Sequence, residues 1–147
     1  MALLRQGTIS IYWQVNMIDH ITINVVDLEK SKAFYEKVLA TLGMKINLGG
    51  PPAQFYGFGA ADAPEFEIAA GRVFISQSDG EYPVTPSFHI AFRALDHAAV
   101  DAFYRVALEA GAKDNGAPGI RADYAENYYA AFVIDPDGNN IEAVCLT

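Results

Sequence analysis

Two stretches of the chain carry a similar order of apolar and polar residues. The segment 19–25 aligns with the segment 88–94, so that His20 matches His89. The same spacing matches further residues downstream: Asp27 with Asp96, Phe34-Tyr35 with Phe103-Tyr104, and Leu39 with Leu108. An ordered set of matches that includes a histidine and an aromatic pair indicates an internal repeat. We therefore predict that the chain consists of two related halves.

The pattern at the start of each half is typical of a β-strand with one buried face. Alternate side chains of an extended chain point to opposite faces. In the first half, Ile21, Ile23 and Val25 therefore share one face, and His20 lies on the other. The second half repeats this arrangement around His89. Each histidine is predicted to lie on the strand face that points away from the hydrophobic core.

A helix is predicted after each of these strands. Asp27 and Asp96 stand at N-cap positions, where a carboxylate accepts hydrogen bonds from free backbone amides of the first turn. Apolar residues then recur with helical spacing, which in the second half gives this stripe: Val100, Phe103, Tyr104, Ala107 and Leu108. Weaker matches downstream indicate two strands after each helix, with room for one further short strand.

This order of elements predicts an α+β fold, in which two βαβββ modules form a curved mixed sheet around a shared cleft. Residues 17–147 are predicted to form one domain, with halves at about 17–70 and 87–147. The intervening 71–86, rich in Gly, Ser, Asp and Pro, is predicted to link the halves. Residues 1–16 form an N-terminal extension, whose alternating pattern indicates an additional strand or an upstream translation start without function.

Four residues on the predicted polar faces are candidate metal ligands: His20, Glu67, His89 and Glu142. Imidazole nitrogen and carboxylate oxygen bind divalent ions such as Zn, Ni, Mn, Co or Fe. Glu142 lies inside an otherwise apolar strand, where an unpartnered carboxylate is costly. Glu67 is placed by aligning 66–69 with 141–144. Since Glu67 stands beside Glu65, a solvated carboxylate is the alternative interpretation.

The composition restricts the classes of partner. A hydrophobic fraction of 52% with 19% charged residues supports a buried core. The formal net charge of -8 argues against nucleic-acid or anionic-membrane partners and permits a cationic ligand. The single cysteine, Cys145, excludes an intrachain disulfide and is predicted to be a buried thiol. Because neither a signal peptide nor a membrane-spanning apolar run is recognised, a cytoplasmic location is expected.

Several motifs of the chain resemble the vicinal oxygen chelate superfamily, which includes glyoxalase I, ring-cleaving dioxygenases, fosfomycin-resistance thiol transferases, methylmalonyl-CoA epimerase and bleomycin-resistance proteins. The motifs are the segments 18–25, 27–39, 89–92 and 135–142. The resemblance covers about residues 17–147.

The resemblance implies metal ligands on the first and fourth strands of each half, which match His20, Glu67, His89 and Glu142. A glutamate at the second position, that of Glu67, resembles the ligand set of glyoxalases and epimerases. Dioxygenases and fosfomycin enzymes use only the two histidines and the final glutamate.

Three functions follow as hypotheses. The first is a glyoxalase-like metal-dependent lyase or isomerase that binds vicinal oxygens of a small substrate, with Glu142 or Glu67 as the proton carrier. The second is a metal-free drug-binding protein of the bleomycin-resistance type, with its cleft between two subunits of a homodimer. The third is an Fe(II) extradiol-type dioxygenase. Arg93 or Arg121 is predicted to hold an anionic substrate and Tyr128 to donate it a hydrogen bond.

Overall fold

The computed structural model describes residues 18–62, 72–84 and 87–147. In these ranges the chain forms the order βαβββ twice. The first module consists of β1 (His20–Val25), α1 (Leu28–Ala40), β2 (Met44–Gly49), β3 (Phe55–Ala60) and β4 (Arg72–Gln77). The second consists of β5 (His89–Arg93), α2 (His97–Glu109), β6 (Lys113–Ile120), β7 (Tyr129–Ile134) and β8 (Asn140–Cys145). The predicted α+β fold of two βαβββ modules is confirmed.

The strands of each module form their own four-stranded mixed sheet. The strand orders are β1-β4-β3-β2 and β5-β8-β7-β6. In both sheets the first and fourth strands of the module pair in parallel, and the remaining pairs are antiparallel. The histidine-bearing strands β1 and β5 are therefore edge strands. The mixed sheet expected from the sequence is divided into two sheets, one per module.

The fourth strand of the first module corrects the sequence analysis. The segment 71–86 was expected to be a linker, but its residues Arg72–Gln77 form β4. Val73 and Ile75 are buried in the core, whereas Phe74 lies on the opposite face. This short alternation is typical of a strand, and it is concealed by the turn-forming residues that follow it. The first module therefore extends to Gln77 rather than ending near residue 70.

The helices begin where the sequence predicts. Asp27 caps α1 by accepting a hydrogen bond from the Lys30 amide at 3.0 Å. Asp96 caps α2 by accepting one from the Ala99 amide at 2.8 Å. The helices cover the apolar faces of both sheets, and one cluster contains the core residues of both modules. Cys145 belongs to this cluster and is buried, as expected. The predicted division between apolar and polar faces is confirmed for β1, β5 and β8.

A buried hydrogen bond ties the two modules together. The Tyr35 hydroxyl on α1 donates to Asp135 Oδ2 at 2.5 Å, in the turn between β7 and β8. Asp135 also accepts hydrogen bonds from the Asn139 amide at 2.8 Å and from Asn139 Nδ2 at 3.0 Å. Burial, followed by the charge of Asp135, raises the pKa of Tyr35 well above its ordinary value. The turn that precedes β8 is thus fixed against α1.

The remaining expectations concern membrane-spanning helices and the N-terminal extension. None of the helices in the described ranges is long and apolar enough to cross a membrane. The N-terminal extension 1–16, with its predicted strand, lies outside the described residues.

We predict that Tyr35→Phe lowers the free energy of unfolding by about 1.5–3 kcal/mol, because it removes a buried hydrogen bond to a charged group. Urea unfolding followed by circular dichroism measures this change. Tyr82→Phe is the control, since the Tyr82 side chain is exposed. Equal unfolding midpoints for the two variants would contradict the prediction.

The same hydrogen bond predicts a dependence on alkaline pH. Tyr35 ionises in the unfolded chain near its ordinary pKa of about 10, but remains protonated in the folded protein. Its contribution to stability is therefore fully present below pH 10 and is lost as the pH rises towards the higher pKa of the folded state. The decline in unfolding free energy above pH 10 is expected to be shallower in Tyr35→Phe.

Candidate functional site

The second module brings His89 and Glu142 together on neighbouring strands. β5 and β8 pair in parallel, with His89 beside Asn140 and Ala91 beside Glu142. His89 Nε2 lies 3.2 Å from Glu142 Oε2. The Glu142 side chain is only 3% exposed, whereas that of His89 is 48% exposed. A buried carboxylate thus faces a histidine that opens to the surface.

The tautomer of His89 follows from its other ring nitrogen. Nδ1 lies 3.0 Å from the backbone carbonyl oxygen of Asn140. Since a carbonyl oxygen only accepts, Nδ1 must carry the proton of this hydrogen bond. In the neutral ring, Nε2 then presents a lone pair to the Glu142 carboxylate. Two such acceptors repel one another unless a cation or a proton lies between them, so the pair is suited to bind either one.

Tyr128 completes the surroundings of Glu142. Its hydroxyl donates to Glu142 Oε1 at 2.6 Å, which leaves Oε2 for His89. Burial, followed by the hydrogen bond to Glu142 and the negative charge of Glu142, raises the pKa of Tyr128 to about 12, although the charge of Arg93 opposes this rise. The sequence predicted Tyr128 as a donor to substrate. In the structure its proton is directed at Glu142 instead.

The first module presents its histidine in a similar way. His20 Nδ1 lies 2.7 Å from Asp19 Oδ1, so this carboxylate fixes the orientation of the ring. The other ring nitrogen, Nε2, does not contact Asp19. The His20 and Phe74 rings meet in an edge-to-face arrangement, with a centroid distance of 5.5 Å and an angle of 76°. A cavity of about 270 Å³ adjoins it, lined by His20, Thr22, Phe55, Phe74 and Ser76. The His20 side chain is 56% exposed.

The register of the strands shows which residue of the first module corresponds to Glu142. Ala91 is the repeat partner of Thr22, and it stands beside Glu142. Thr22 itself stands beside Phe74. Phe74 therefore occupies the position that the sequence analysis assigned to Glu67, and the alignment of 66–69 with 141–144 is corrected. Glu67 lies outside the described residues, so its role as a ligand stays a prediction.

The candidate ligands do not meet in one cavity of the described chain. His20 lines the cavity on the open face of the first sheet, whereas His89 lines a different cavity of about 420 Å³ with Arg93 and Phe88. Among the residues that the structure describes, no group of three or more His, Cys, Asp or Glu is placed to hold one ion. The structure thus shows two separate half-sites, His20 with Asp19 and His89 with Glu142, each open to the surface.

The two candidate arginines differ in their surroundings. Arg93 is exposed at the end of β5 and lines the cavity that contains His89. Arg121 Nη2 donates to the Ala117 carbonyl oxygen at 2.6 Å, and its guanidinium lies 5.5 Å from the centre of the Phe132 ring. These contacts hold Arg121 against β6 and β7. A role in substrate binding stays a prediction for both residues. The position of Arg93 in the cavity with His89 fits this role better than the position of Arg121.

Three residues of the half-sites were missed by the sequence analysis. Asn140 acts through its backbone carbonyl, so its side chain gives no signal. Asp19 could have been found, because it directly precedes a predicted ligand. Phe74 could have been found from the alternation within 72–77.

Comparison with known proteins gives a consistent set of matches. The model of the Glyoxalase/Bleomycin resistance protein/Dioxygenase superfamily matches residues 17–143. The metallothiol transferase FosB of Shouchella clausii (strain KSM-K16) is 31% identical over 128 residues, which are 87% of this chain and 79% of that protein.

Solved structures agree with these matches. The crystal structure of a glyoxalase/bleomycin resistance protein from Albidiferax ferrireducens T118 has 30% identity and a TM-score of 0.73, covering 88% of this chain and 98% of that one. TnmS3, an antibiotic binding protein from Streptomyces sp. CB03234, shares the fold with 21% identity and a TM-score of 0.61, covering 88% and 95%.

We predict that Tyr128→Phe lowers the free energy of unfolding of the chelator-treated protein by about 1–3 kcal/mol, because it leaves Glu142 Oε1 buried without its donor. Tyr124→Phe is the matched control, since Tyr124 contacts Tyr128 by its ring edge at 5.2 Å but is exposed. Urea unfolding measures both variants. An unchanged midpoint in Tyr128→Phe would show that this hydrogen bond does not stabilise the buried carboxylate.

Proposed function

Because the chain belongs to the Glyoxalase/Bleomycin resistance protein/Dioxygenase superfamily, we propose that it is a divalent-metal-dependent enzyme that binds a small substrate through vicinal oxygens. The observation that carries this proposal is the approach of His89 Nε2 to Glu142 Oε2 at 3.2 Å, while His89 Nδ1 is held by the Asn140 carbonyl oxygen. This geometry directs two adjacent lone pairs towards one point, which favours a bound cation.

The proposed ligands are His20, His89 and Glu142. Each histidine has its Nδ1 held by an oxygen atom, which is the usual arrangement for a histidine that binds a metal through Nε2. Two imidazoles and one carboxylate fit Zn, Ni, Mn, Co or Fe and leave coordination positions for substrate. Glu67 is not part of this three-residue set. Its role as a fourth ligand or proton carrier remains a prediction.

We further propose that the protein is a homodimer in which each centre combines His20 of one copy with His89 and Glu142 of the other. Within one chain the histidines line different cavities, and each histidine side chain is about half exposed. A second copy with two-fold symmetry brings the first half-site of each chain to the second half-site of the other.

The chain's own residues have separable tasks in this proposal. When bound, the metal polarises the substrate oxygens. Tyr128 holds Glu142 Oε1, so that Glu142 Oε2 remains to bind or to receive a proton from the substrate. Arg93, which lies in the same cavity as His89, supplies positive charge for an anionic substrate.

Thiol transfer is the reaction that we propose for this centre. It is supported by the 31% identity to a metallothiol transferase and by the presence of Phe74, not a carboxylate, opposite Thr22. A glyoxalase-like lyase or isomerase reaction is the alternative that a ligand role of Glu67 would support. An Fe(II) dioxygenase is the alternative that iron in the purified protein would support.

A second candidate function is metal-free drug binding of the bleomycin-resistance type. The aromatic cavity beside His20 favours it, and so does the common fold with a protein described as antibiotic binding. Metal analysis separates the two candidates. An absence of stoichiometric metal, together with a melting temperature that a chelator leaves unchanged, would support the binder.

The first test is metal retention in ligand variants. His20→Ala, His89→Ala and Glu142→Gln are each expected to lower metal affinity at least about tenfold. His97→Ala is the control, because His97 stacks on Tyr129 at 3.9 Å, outside both half-sites. Elemental analysis of untagged protein and competition with a chromogenic chelator measure retention. Wild-type affinity in His20→Ala would exclude His20 as a ligand.

The second test concerns the assembly. Subunits of His20→Ala and His89→Ala are mixed by unfolding and refolding them together. The resulting heterodimers contain one intact centre each, so about one quarter of the wild-type metal sites is expected to return. A mixture of His89→Ala with Glu142→Gln is the control, because both changes affect the same half-site and no centre is restored. No recovery in the first mixture would contradict a shared centre.

A further inference from the structure

We infer that the cavity beside His20 is a subsite for a flat apolar group, such as a phenyl ring, attached to the oxygen-bearing carbon of the substrate. This inference rests on the proposed metal-dependent function and adds the class of substrate. In this inference, Phe74 is the residue that favours substrates with such a group. The two half-sites therefore differ in what they contact.

The position of Phe74 places this subsite next to the proposed centre. Phe74 stands beside Thr22, at the register position that Glu142 occupies beside Ala91 in the second module. In the second module this position carries a carboxylate that faces His89. In the first module it carries a hydrocarbon ring that faces His20. A ligand group that approaches His20 from this side meets an apolar surface instead of a charge.

A glycine in the neighbouring strand allows the ring to lie against the sheet. Gly57 is the partner of Phe74 between β3 and β4. A Cβ atom at residue 57 would lie 2.7 Å from Phe74 Cε1, which is closer than side chains tolerate. Because Gly57 has no side chain, the Phe74 ring can lie over residue 57. Phe55, two residues earlier on the same strand face, forms the adjoining wall.

The lining of the cavity defines the chemistry that it accepts. Among the residues that the structure describes, the five that line the cavity include no carboxylate, lysine or arginine. Phe55 and Phe74 lie 6.0 Å apart with their rings tilted by 60°, and the His20 and Phe74 rings meet edge to face. Further aromatic rings pack favourably against such surfaces in edge-to-face or offset arrangements. The Ser76 hydroxyl donates to the Gln54 carbonyl oxygen at 3.3 Å, so His20 and Thr22 provide the remaining polar groups.

The size of the cavity limits the group. Its volume of about 270 Å³ lies just below the range of about 300–1,000 Å³ that is usual for whole drug-sized ligands. The cavity therefore suits a one- or two-ring portion of a molecule, and the rest of that molecule extends towards His20 Nε2. The oxygens that the metal would bind lie on this extension.

The test compares mandelate with lactate. Both are α-hydroxycarboxylates with the same pair of vicinal oxygens, but one carries a phenyl and the other a methyl group. Isothermal titration of the Mn²⁺-loaded dimer is expected to give at least about tenfold tighter binding of mandelate, because the phenyl ring is removed from water. In Phe74→Ser the preference is expected to fall below about threefold, because the apolar wall for the phenyl ring is removed.

Two further variants sharpen this comparison. Gly57→Ala displaces the Phe74 ring without altering its chemistry, and it is expected to reduce the preference as well. Tyr82→Leu is the control, since Tyr82 is an exposed aromatic residue that is not among those lining the cavities of His20 and His89, and its loss is expected to leave the preference intact. Equal affinities for mandelate and lactate in the Mn²⁺-loaded wild-type protein would overturn the inference while leaving the proposed function intact.

A measurement without metal separates the two claims. Line broadening of 4-fluorotoluene in fluorine NMR, recorded with EDTA-treated protein, reports on the subsite alone. Broadening by the wild-type protein that is lost in Phe74→Ser supports the subsite even if the protein binds no metal and the proposed enzymatic function fails. An absence of broadening by the wild-type protein overturns the subsite.

Discussion

In a β-strand, neighbouring side chains point to opposite faces, and this alternation separates the core of the protein from its candidate site. On β1 and β5 the apolar residues are covered by the helices, so the residues between them must point to the open faces of the sheets. His20 and His89 are exposed for this reason. The N-cap aspartates and the Tyr35–Asp135 hydrogen bond hold the helices in the positions that maintain this division.

Glu142 is the costly part of the arrangement. An ionised carboxylate that is 3% exposed loses most of its hydration, and this loss must be offset by directed partners. Tyr128 provides a partner for Oε1, and Oε2 obtains one when a cation or a proton lies between it and His89 Nε2. Tyr128 belongs to the loop between β6 and β7, which closes by a hydrogen bond from the Arg121 amide to the Tyr128 carbonyl at 2.7 Å. The binding of a proton or a cation by Glu142 is therefore coupled to the conformation of this loop.

The sequence predicted the fold class, both helix caps, the faces of β1, β5 and β8, and the equivalent positions of His20 and His89 in the two modules. It failed at β4, because the alternation of Arg72–Gln77 is short and is followed by turn-forming residues. Because this strand is not recognised in the sequence, the alignment matches Glu67, and not Phe74, with Glu142. The Asn140 contact could not be predicted, since any residue supplies a carbonyl oxygen. A repeat also cannot indicate whether two half-sites meet within one chain or between two.

The register of Phe74 and Glu142 has a consequence for how proteins of this architecture diversify. The two positions are equivalent in the repeat, yet one carries a hydrocarbon ring and the other a charge. They lie on different sheets with separate hydrogen-bonding networks, so a substitution on β4 changes one half-site without disturbing the carboxylate on β8. In such a duplicated scaffold one half is free to vary in recognition while its counterpart preserves reactivity, and new ligand preferences are accessible through single amino-acid changes.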